Sequence, residues 1–155
     1  MLNACAFADT SDEKSQNEVL DIAIQTFDLF QSSAPVYGKP DHLTYGTMVM
    51  IFNKHVPSRE LRNQLSKNIF YQCCQNGQLS GFVVSQLQKA LSNKLLKELF
   101  GEAAIFNGAK AIRIDKRKVP REWNKNGGGI KSKSSKKRSS ANVTKQQVRR
   151  TLVDN

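Results

Sequence analysis

The three cysteines and two histidines of the chain could act as metal ligands or nucleophiles: Cys5, His42, His55, Cys73 and Cys74. A zinc site needs several histidine, cysteine or carboxylate ligands, and neither histidine has such a partner at ligand spacing. We interpret Cys73 and Cys74 as core positions, with a reactive thiol as the alternative. The sequence contains no G-x-G-x-x-G, G-x-x-x-x-G-K-[ST], G-x-S-x-G or H-E-x-x-H motif. It therefore predicts no catalytic residue, no metal, no cofactor and no small-molecule substrate, and we do not expect an enzyme.

Lysine and arginine carry a second kind of chemistry, the neutralisation of phosphate groups. The formal net charge is +11. Residues 1–107 contain nine basic and ten acidic side chains, whereas residues 108–155 contain fifteen basic and three acidic ones. The whole positive excess therefore lies in the last third of the chain.

Residues 127–155 begin with three glycines and contain KSKSSKKRSS at 131–140, a run without a large apolar side chain. Such a segment buries too little apolar surface to offset the entropy cost of ordering it, so we predict a disordered basic tail. Closely spaced cations without aromatic groups suit phosphate contacts and not the reading of bases. The phosphate-contacting residues that we predict are Lys131, Lys133, Lys136, Lys137 and Arg138.

The first 107 residues, in contrast, have apolar residues at helical spacing. We predict five helices. The first covers residues 18–31, and the other four begin at Asp41, Ser58, Ser80 and Ser92. Asn76, Gly77 and Gly101 supply helix stops. The stripes expected to face the core are Leu20, Ala23, Ile24, Phe27 and Phe30 in the first helix, Tyr45, Met48, Val49 and Phe52 in the second, and Leu61, Leu65, Ile69 and Cys73 in the third. No segment reads convincingly as a strand, so the predicted fold class is all-α.

Internal similarity relates the second helix to the fourth. When the sequence is aligned with itself at an interval of 39 residues, apolar residues align with one another: Tyr45 with Val84, Met48 with Leu87 and Phe52 with Leu91. An interval of 47 residues places the segment 2–8, LNACAFA, opposite 49–55. Each unit then contains two helices, which short links make antiparallel and which cannot bury their apolar stripes without a neighbouring unit.

The stretch 39–49, KPDHLTYGTMV, resembles the junction between two pentatricopeptide repeats, where K-P-D precedes a helix that opens V-T-Y-N-T-L. The stretch AIQTFDLFQSS before it resembles the second helix of a repeat, and LNACAFA resembles the end of a first helix. Residues 119–127, VPREWNKNG, are similar to a segment that closes some members of the family. The resemblance covers about residues 1–126, with insertions that lengthen the family's unit of about 35 residues.

The resemblance implies an α-solenoid, a right-handed superhelix of antiparallel helix hairpins. About two and a half repeats would occupy residues 1–107, followed by a basic closing segment over 108–126 and the tail over 127–155. Because so few units would cover only two or three nucleotides, we expect a functional protein to have further repeats upstream of Met1.

Members of this family bind single-stranded RNA, with about one base read per repeat. Side chains near the start of the first helix and at the end of each unit contact the base. The RNA-binding residues that the resemblance implies are Asp41, Leu43, Gly46, Ser80, Phe82 and Ser85. Asp41 and Ser80 are equally suited to cap helices. Gly46 offers no side chain to a base, so close helix packing or a degenerate repeat position is favoured there over base contact.

The resemblance further implies an adapter in the RNA metabolism of mitochondria or plastids. Its partners would be single-stranded RNA and other proteins of RNA processing, without contact to a membrane. A helical scaffold for protein–protein interaction, like the tetratricopeptide repeats, is the alternative, and the near-neutral first 107 residues favour it. The lining of the groove distinguishes the two, since an RNA-binding groove should be polar and basic.

Overall fold

A computed structural model describes residues 1–33, 36, 38–108 and 111–127. Six α-helices lie in this part of the chain: α1 (Leu2–Phe7), α2 (Glu13–Ser32), α3 (His42–His55), α4 (Arg59–Gln75), α5 (Gly81–Ala90) and α6 (Asn93–Phe100). Two strands follow, β1 (Ala104–Asn107) and β2 (Ala111–Ile114), with short 3-10 helices at Gly101–Ala103 and Arg121–Trp123. The predicted helical fold class is confirmed. The predicted disordered tail, including its five phosphate-contacting residues, lies outside the described residues except for Gly127.

Side-chain caps set the starts of the helices, as the sequence predicts. Asp41, Ser58, Ser80 and Ser92 each accept a hydrogen bond from the backbone N–H three residues later. Gly77 and Gly101, with φ of +66° and +53°, follow the carboxyl ends of α4 and α6. α2 begins at Glu13, five residues before the predicted start, because Asp12 caps it through Ser15 N–H.

Hydrogen bonds between helices give their relative directions. Asn76, just past the end of α4, donates to the Tyr45 hydroxyl in the first turn of α3 at 2.9 Å. Near the other end of α4, Arg62 donates to the carbonyl of Val56, directly after α3, at 3.3 Å. α3 and α4 are therefore antiparallel neighbours, as the short link between them predicts.

The helices alternate between two layers. α3 has its most extensive helix contact with α5 and also packs against α1. On the other side, Gln31 of α2 donates to Gln72 of α4, and Lys67 of α4 pairs with Glu98 of α6. The odd-numbered helices thus form one layer and the even-numbered helices the other.

The buried face of each helix is narrower than the stripes predicted from sequence. Ile24 is 39% exposed and Leu61 is 48% exposed, so both stripe assignments are wrong at these positions. Ile24 lies about 100° around α2 from the buried Ala23. Positions four residues apart drift by about 40° per step, so the row that is buried at Ile69 and Cys73 lies outside the buried face at Leu61.

Residues 104–107 and 111–114 pair as the two antiparallel strands of a hairpin, and the prediction that the chain contains no strand is wrong here. Ala104 and Ile114 are opposite each other and are both buried. The hairpin packs on α6, where Lys97 donates to the carbonyl of Ala104 at 3.2 Å. Gln88 of α5 holds the second strand by donating to the Ile112 carbonyl at 2.8 Å.

The segment after the hairpin returns to the loop between α4 and α5. The Phe70 ring contacts Trp123 edge-on, with centroids 5.5 Å apart, and Phe100 of α6 at 5.1 Å. Leu79 N–H donates to the Trp123 carbonyl at 2.7 Å. These contacts join residues 119–127 to the same core as the helices.

Candidate nucleic-acid interface

The predicted RNA-binding residues fall at equivalent places in α3 and α5. Asp41 and Ser80 are the N-caps of these helices, and Leu43 and Phe82 are their second residues. The interval of 39 residues found in the sequence therefore relates two helices with the same local structure. Since α3 and α5 pack on each other, their amino-terminal ends form one surface, which we call the cap surface: Asp41, Leu43, Gly46, Ser80, Phe82 and Ser85.

Asp41 is the exposed acid of the cap surface. Its Oδ1 accepts hydrogen bonds from Thr44 N–H and from the Thr44 hydroxyl, both at 2.8 Å. Desolvation acts to raise the pKa of the Asp41 carboxyl, but the hydrogen bonds from Thr44 outweigh it, and the pKa is lowered. The carboxylate is therefore ionised at neutral pH. Neither of these hydrogen bonds uses Oδ2, which leaves an acceptor for an amino group of a base.

Ser80, at the equivalent position, is far less accessible. Only 4% of the residue is exposed, and its hydroxyl accepts a hydrogen bond from Val83 N–H at 3.3 Å. A base would reach this hydroxyl only if neighbouring side chains moved. At Ser80 the geometry thus satisfies the capping role without a ligand.

Gly46 of α3 and Phe82 of α5 are in direct contact. A Cβ atom placed on Gly46 would lie 2.4 Å from Cδ1 and Cε1 of the Phe82 ring. Gly46 is buried, and Phe82 is half-buried. Close helix packing, one of the two interpretations favoured for Gly46 from the sequence, agrees with this contact. Two residues predicted to act on RNA are thereby brought into direct contact with each other.

Leu43 and Ser85 complete the accessible part of the cap surface. Leu43 is 54% exposed on the first turn of α3. Ser85 is half-buried on α5, one turn after the cap. Together with Asp41 and Phe82, these residues offer apolar contact and hydrogen-bonding groups but no cation, so phosphate contacts must come from elsewhere.

Four of the five residues that could have held a metal or acted as a nucleophile are buried in the core, and the fifth, His42, is half-buried. His55 Nε2 donates to the Cys5 carbonyl at 3.0 Å, and its Nδ1 therefore accepts from the Thr10 hydroxyl at 3.1 Å. Burial raises the pKa of the Cys74 thiol to about 12 and that of the Cys73 thiol well above its usual range. Within the described ranges, no three His, Cys, Asp or Glu side chains come together as metal ligands do.

An open cleft of about 470 Å³ lies on the layer of even-numbered helices, between α4 and α6. Charges of both signs line it, and the ion pair between Lys67 and Glu98 joins its two walls. These helices carry none of the predicted RNA-binding residues. The cleft is therefore separate from the cap surface.

The hairpin and the turn after it expose both basic and apolar side chains. The sequence analysis predicts the basic charge of residues 108–126 but misses the hairpin. Arg113, Arg117 and Lys118 are exposed, while Ile105 and Phe106 are 42% and 61% exposed. The signal that could have revealed it is Asn-Gly at 107–108, a strong hairpin turn signal, between the segments AIFN and AIRI. Residues 111–127 contain six basic and two acidic side chains, so this surface carries the positive charge that the cap surface lacks.

Comparisons with known proteins provide no relative for this chain. No protein-family model, no curated protein sequence and no solved structure matches it. In the described part of the chain, none of the helices combines the length and apolar character needed to cross a membrane. The chemistry of the two surfaces is thus the ground on which a function can be argued.

Proposed function

We propose that the chain binds single-stranded RNA as an α-solenoid of the pentatricopeptide type, a right-handed superhelix of antiparallel hairpins. It acts as a non-catalytic adapter in RNA metabolism, in mitochondria or plastids if the resemblance extends to localisation. Alternating helix layers and the contacts between successive odd-numbered helices support this architecture. Other proteins of RNA processing are the further partners of this proposal.

The observation that carries the proposal is the repetition of one local structure at the start of α3 and α5. A 39-residue unit places different side chains at equivalent, adjacent positions, with Asp41 and Leu43 on one helix and Phe82 on the next. Such periodic variation on a constant frame is how a repeat array contacts successive bases. Asp41 would contact a base through Oδ2, while Leu43 and Phe82 would pack against base faces.

Positive charge in the last third of the chain supplies the affinity in this proposal. The tail residues Lys131, Lys133, Lys136, Lys137 and Arg138 would contact phosphates without reading sequence. The cap surface, which is without a cation, would contribute base preference instead. Affinity and preference would then be separable by substitution.

The salt dependence of binding tests this division. The dissociation constant of the full chain would be measured with labelled single-stranded homopolymers over a range of salt. Each phosphate neutralised on a single strand contributes about −0.7 to the slope of log affinity against log salt, so several engaged cations give about −2 to −4. Changing the five tail residues to Ala should bring the slope close to zero, whereas Asp41→Ala should change base preference more than affinity.

A matched control removes five exposed cations elsewhere: Lys14, Lys54, Arg59, Lys89 and Lys94. We expect this variant to keep most of the salt slope. The proposal fails if the unaltered chain does not bind single-stranded RNA, or if the control and the tail variant lose the same affinity.

A protein scaffold is the second candidate, and α2 is the observation that favours it. This helix has one basic residue against four acidic ones, and it exposes Ile22, Ile24 and Leu29. An acidic surface with apolar side chains repels RNA and suits a protein partner. In this case the salt titration would show no RNA binding, and Leu29→Ser would weaken capture of the partner protein.

A further inference from the structure

The outer face of α2 has carboxylates in the middle and apolar side chains on both sides. Asp21 and Asp28 are exposed and lie about 160° and 140° around the helix from the buried Ala23. Ile22 and Ile24 each lie about 100° from Ala23, on opposite sides, and are 46% and 39% exposed. We call this surface the α2 face, and its exposed residues are Asp21, Ile22, Ile24, Asp28 and Leu29.

The α2 face lies in the most acidic part of the chain. Residues 1–33 contain six acidic side chains and one basic one. The basic residue, Lys14, pairs with Glu18 at 4.0 Å. This excess of negative charge repels a nucleic acid and also repels the same face of a second copy, whereas it attracts cations. The ligand that suits the α2 face is therefore both basic and apolar.

The chain itself contains a segment with this chemistry. Residues 128–155 contain eight basic side chains and one acidic one. Within them, KSKSSKKRSS has no large apolar residue, but the stretch 145–152, KQQVRRTL, combines three cations with two apolar side chains. We call residues 145–152 the terminal segment, which lies outside the described residues. Its basic and apolar residues are Lys145, Val148, Arg149, Arg150 and Leu152.

The described part of the chain ends close to α2. Asn126 Nδ2 donates to the carbonyl of Asn76, directly after α4, at 2.9 Å. In the last turn of α4, Gln72 accepts a hydrogen bond from Gln31 in the last turn of α2. Residues 127–145 can span at most about 60 Å, whereas α2 is about 30 Å long and packed helices lie about 10 Å apart. The whole α2 face is therefore within reach of the terminal segment of the same chain.

We infer that the α2 face is a docking site for the terminal segment of the same chain. The cations of the segment pair with Asp21 and Asp28, and Val148 and Leu152 pack on the apolar residues of the face. Exposed ion pairs contribute little by themselves, so the apolar contacts and the covalent link are both needed. The link raises the effective concentration of the segment at the face and so favours its own chain over a second copy.

Docking would also keep the phosphate-contacting tail residues near the cap surface. Gly127 lies beside Leu79, which precedes the cap of α5. Phe27, near the carboxyl end of α2, contacts the ring of Tyr45 in the first turn of α3, with centroids 5.7 Å apart. Both attachment points of the tail are therefore near the end of the molecule where α3 and α5 begin. This consequence rests on the proposed function, whereas docking itself requires no RNA.

The test uses the full chain and a carbodiimide, which joins a lysine amine to a carboxylate in contact with it. In the unaltered chain we expect a cross-link between Lys145 and Asp21 or Asp28, identified by mass spectrometry of the digested monomer. The yield should be the same at different protein concentrations, because the contact lies within one chain. It should fall in high salt, which screens exposed charges.

Two variants remove apolar contacts and keep every group that the carbodiimide joins. The first changes Val148 and Leu152 to Ser, and its control changes the tail residues Ile130 and Val143 to Ser. We expect the first to lower the cross-link yield about fivefold, since two apolar side chains lose their burial. The control should leave the yield unchanged.

The second variant makes the same change on the α2 face. It changes Ile22 and Leu29 to Ser, and its control changes Leu61 and Ile105, which are exposed to a similar extent. The yield should again fall about fivefold in the variant and stay unchanged in the control. Circular dichroism of each variant would establish that the helices are folded.

The possible results separate this inference from the proposed function. If the cross-link is absent, or if each variant equals its control, docking is overturned. If the cross-link joins two chains and its yield rises with protein concentration, the segment docks on a second copy and the inference is likewise overturned. If the cross-link forms as expected but the chain binds no single-stranded RNA, docking is supported and the proposed function is overturned. If RNA binds, the change of Val148 and Leu152 should weaken binding relative to its control, and equal affinities would overturn the consequence for the cap surface.

Discussion

At the scale of single residues, one contact between α3 and α5 depends on a missing side chain. Gly46 allows the Phe82 ring to lie against the backbone of α3, where a Cβ atom would be 2.4 Å from two ring carbons. At this distance, the Phe82 ring or one of the helices must shift to make room for a methyl group. The spacing of α3 and α5, and with it the geometry of the cap surface, is therefore sensitive to this position.

We predict that Gly46→Ala lowers the free energy of unfolding by about 1–3 kcal/mol, as overpacking does, despite the higher helix propensity of alanine. Gly81→Ala is the matched control, since a Cβ atom there meets nothing within 4 Å. Urea denaturation of both variants gives the comparison. In a Phe82→Leu background the cost of Gly46→Ala should shrink; an unchanged cost would mean that the ring is not what opposes the added methyl group.

At the scale of secondary-structure elements, α3 and α5 start in the same way but with different chemistry. Asp41 caps α3 with an exposed carboxylate, whereas Ser80 caps α5 with a buried hydroxyl. A carboxylate at a helix amino terminus is further favoured by the helix dipole. Only the first of these two caps can therefore depend on pH.

We predict that Asp41→Ala destabilises the chain by about 1 kcal/mol at pH 7, the usual cost of losing an N-cap. The folded-state pKa of Asp41 is lowered, so its ionised form contributes stability above the unfolded pKa of about 3.9, and that contribution is lost as pH falls through the folded value. The difference from the unaltered chain should thus shrink between about pH 5 and pH 2. Chemical denaturation across this range measures it.

The control for this prediction is Asp9→Ala, which removes an exposed carboxylate that caps no helix. Its effect at pH 7 should be within about 0.5 kcal/mol. If Asp41→Ala and Asp9→Ala had the same pH profile, the stability of α3 would not depend on its cap.

At the scale of the whole molecule, the hairpin and the closing segment complete the helical core. Trp123 packs on Phe70 of α4, and Asn126 N–H donates to the Gly77 carbonyl at 2.8 Å. A Cβ atom on Gly127 would lie 2.9 Å from the Leu79 carbonyl oxygen. The closing segment therefore stays close to the loop between α4 and α5 as far as Gly127. Residues 119–127 thus contact both α4 and the loop that follows it, which are distant in sequence.

We therefore predict one cooperative unfolding transition. Trp123 fluorescence reports on the closing segment, and far-ultraviolet circular dichroism reports on the helices, so the two signals should change at the same denaturant concentration. Phe70→Leu should lower both midpoints together, because it removes the shared aromatic contact. A fluorescence transition that preceded the loss of helix would show that the closing segment unfolds independently.

The sequence by itself determined the features that depend on neighbours within a few residues. Asp41 and Ser80 could be recognised as caps because capping involves a side chain and a backbone N–H three residues apart. The 39-residue interval was likewise visible, since it repeats such local patterns. The strand pair of 104–107 and 111–114 has a local signal in Asn-Gly, but its strands are short, and the exposed Ile105 and Phe106 obscure the alternation of buried and exposed residues.

Only the tertiary structure decided how those local features meet. The contact of Gly46 with Phe82 joins residues 36 positions apart, and that of Phe70 with Trp123 joins residues 53 positions apart. The burial of Ser80 depends on packing of the same kind. The charge of each surface is likewise decided by the tertiary structure, because it depends on which side chains the helices and the hairpin leave exposed. Contacts of this kind arise from the packing of whole helices, and a helical stripe fixes the buried face only to within about 100°, as Ile24 illustrates.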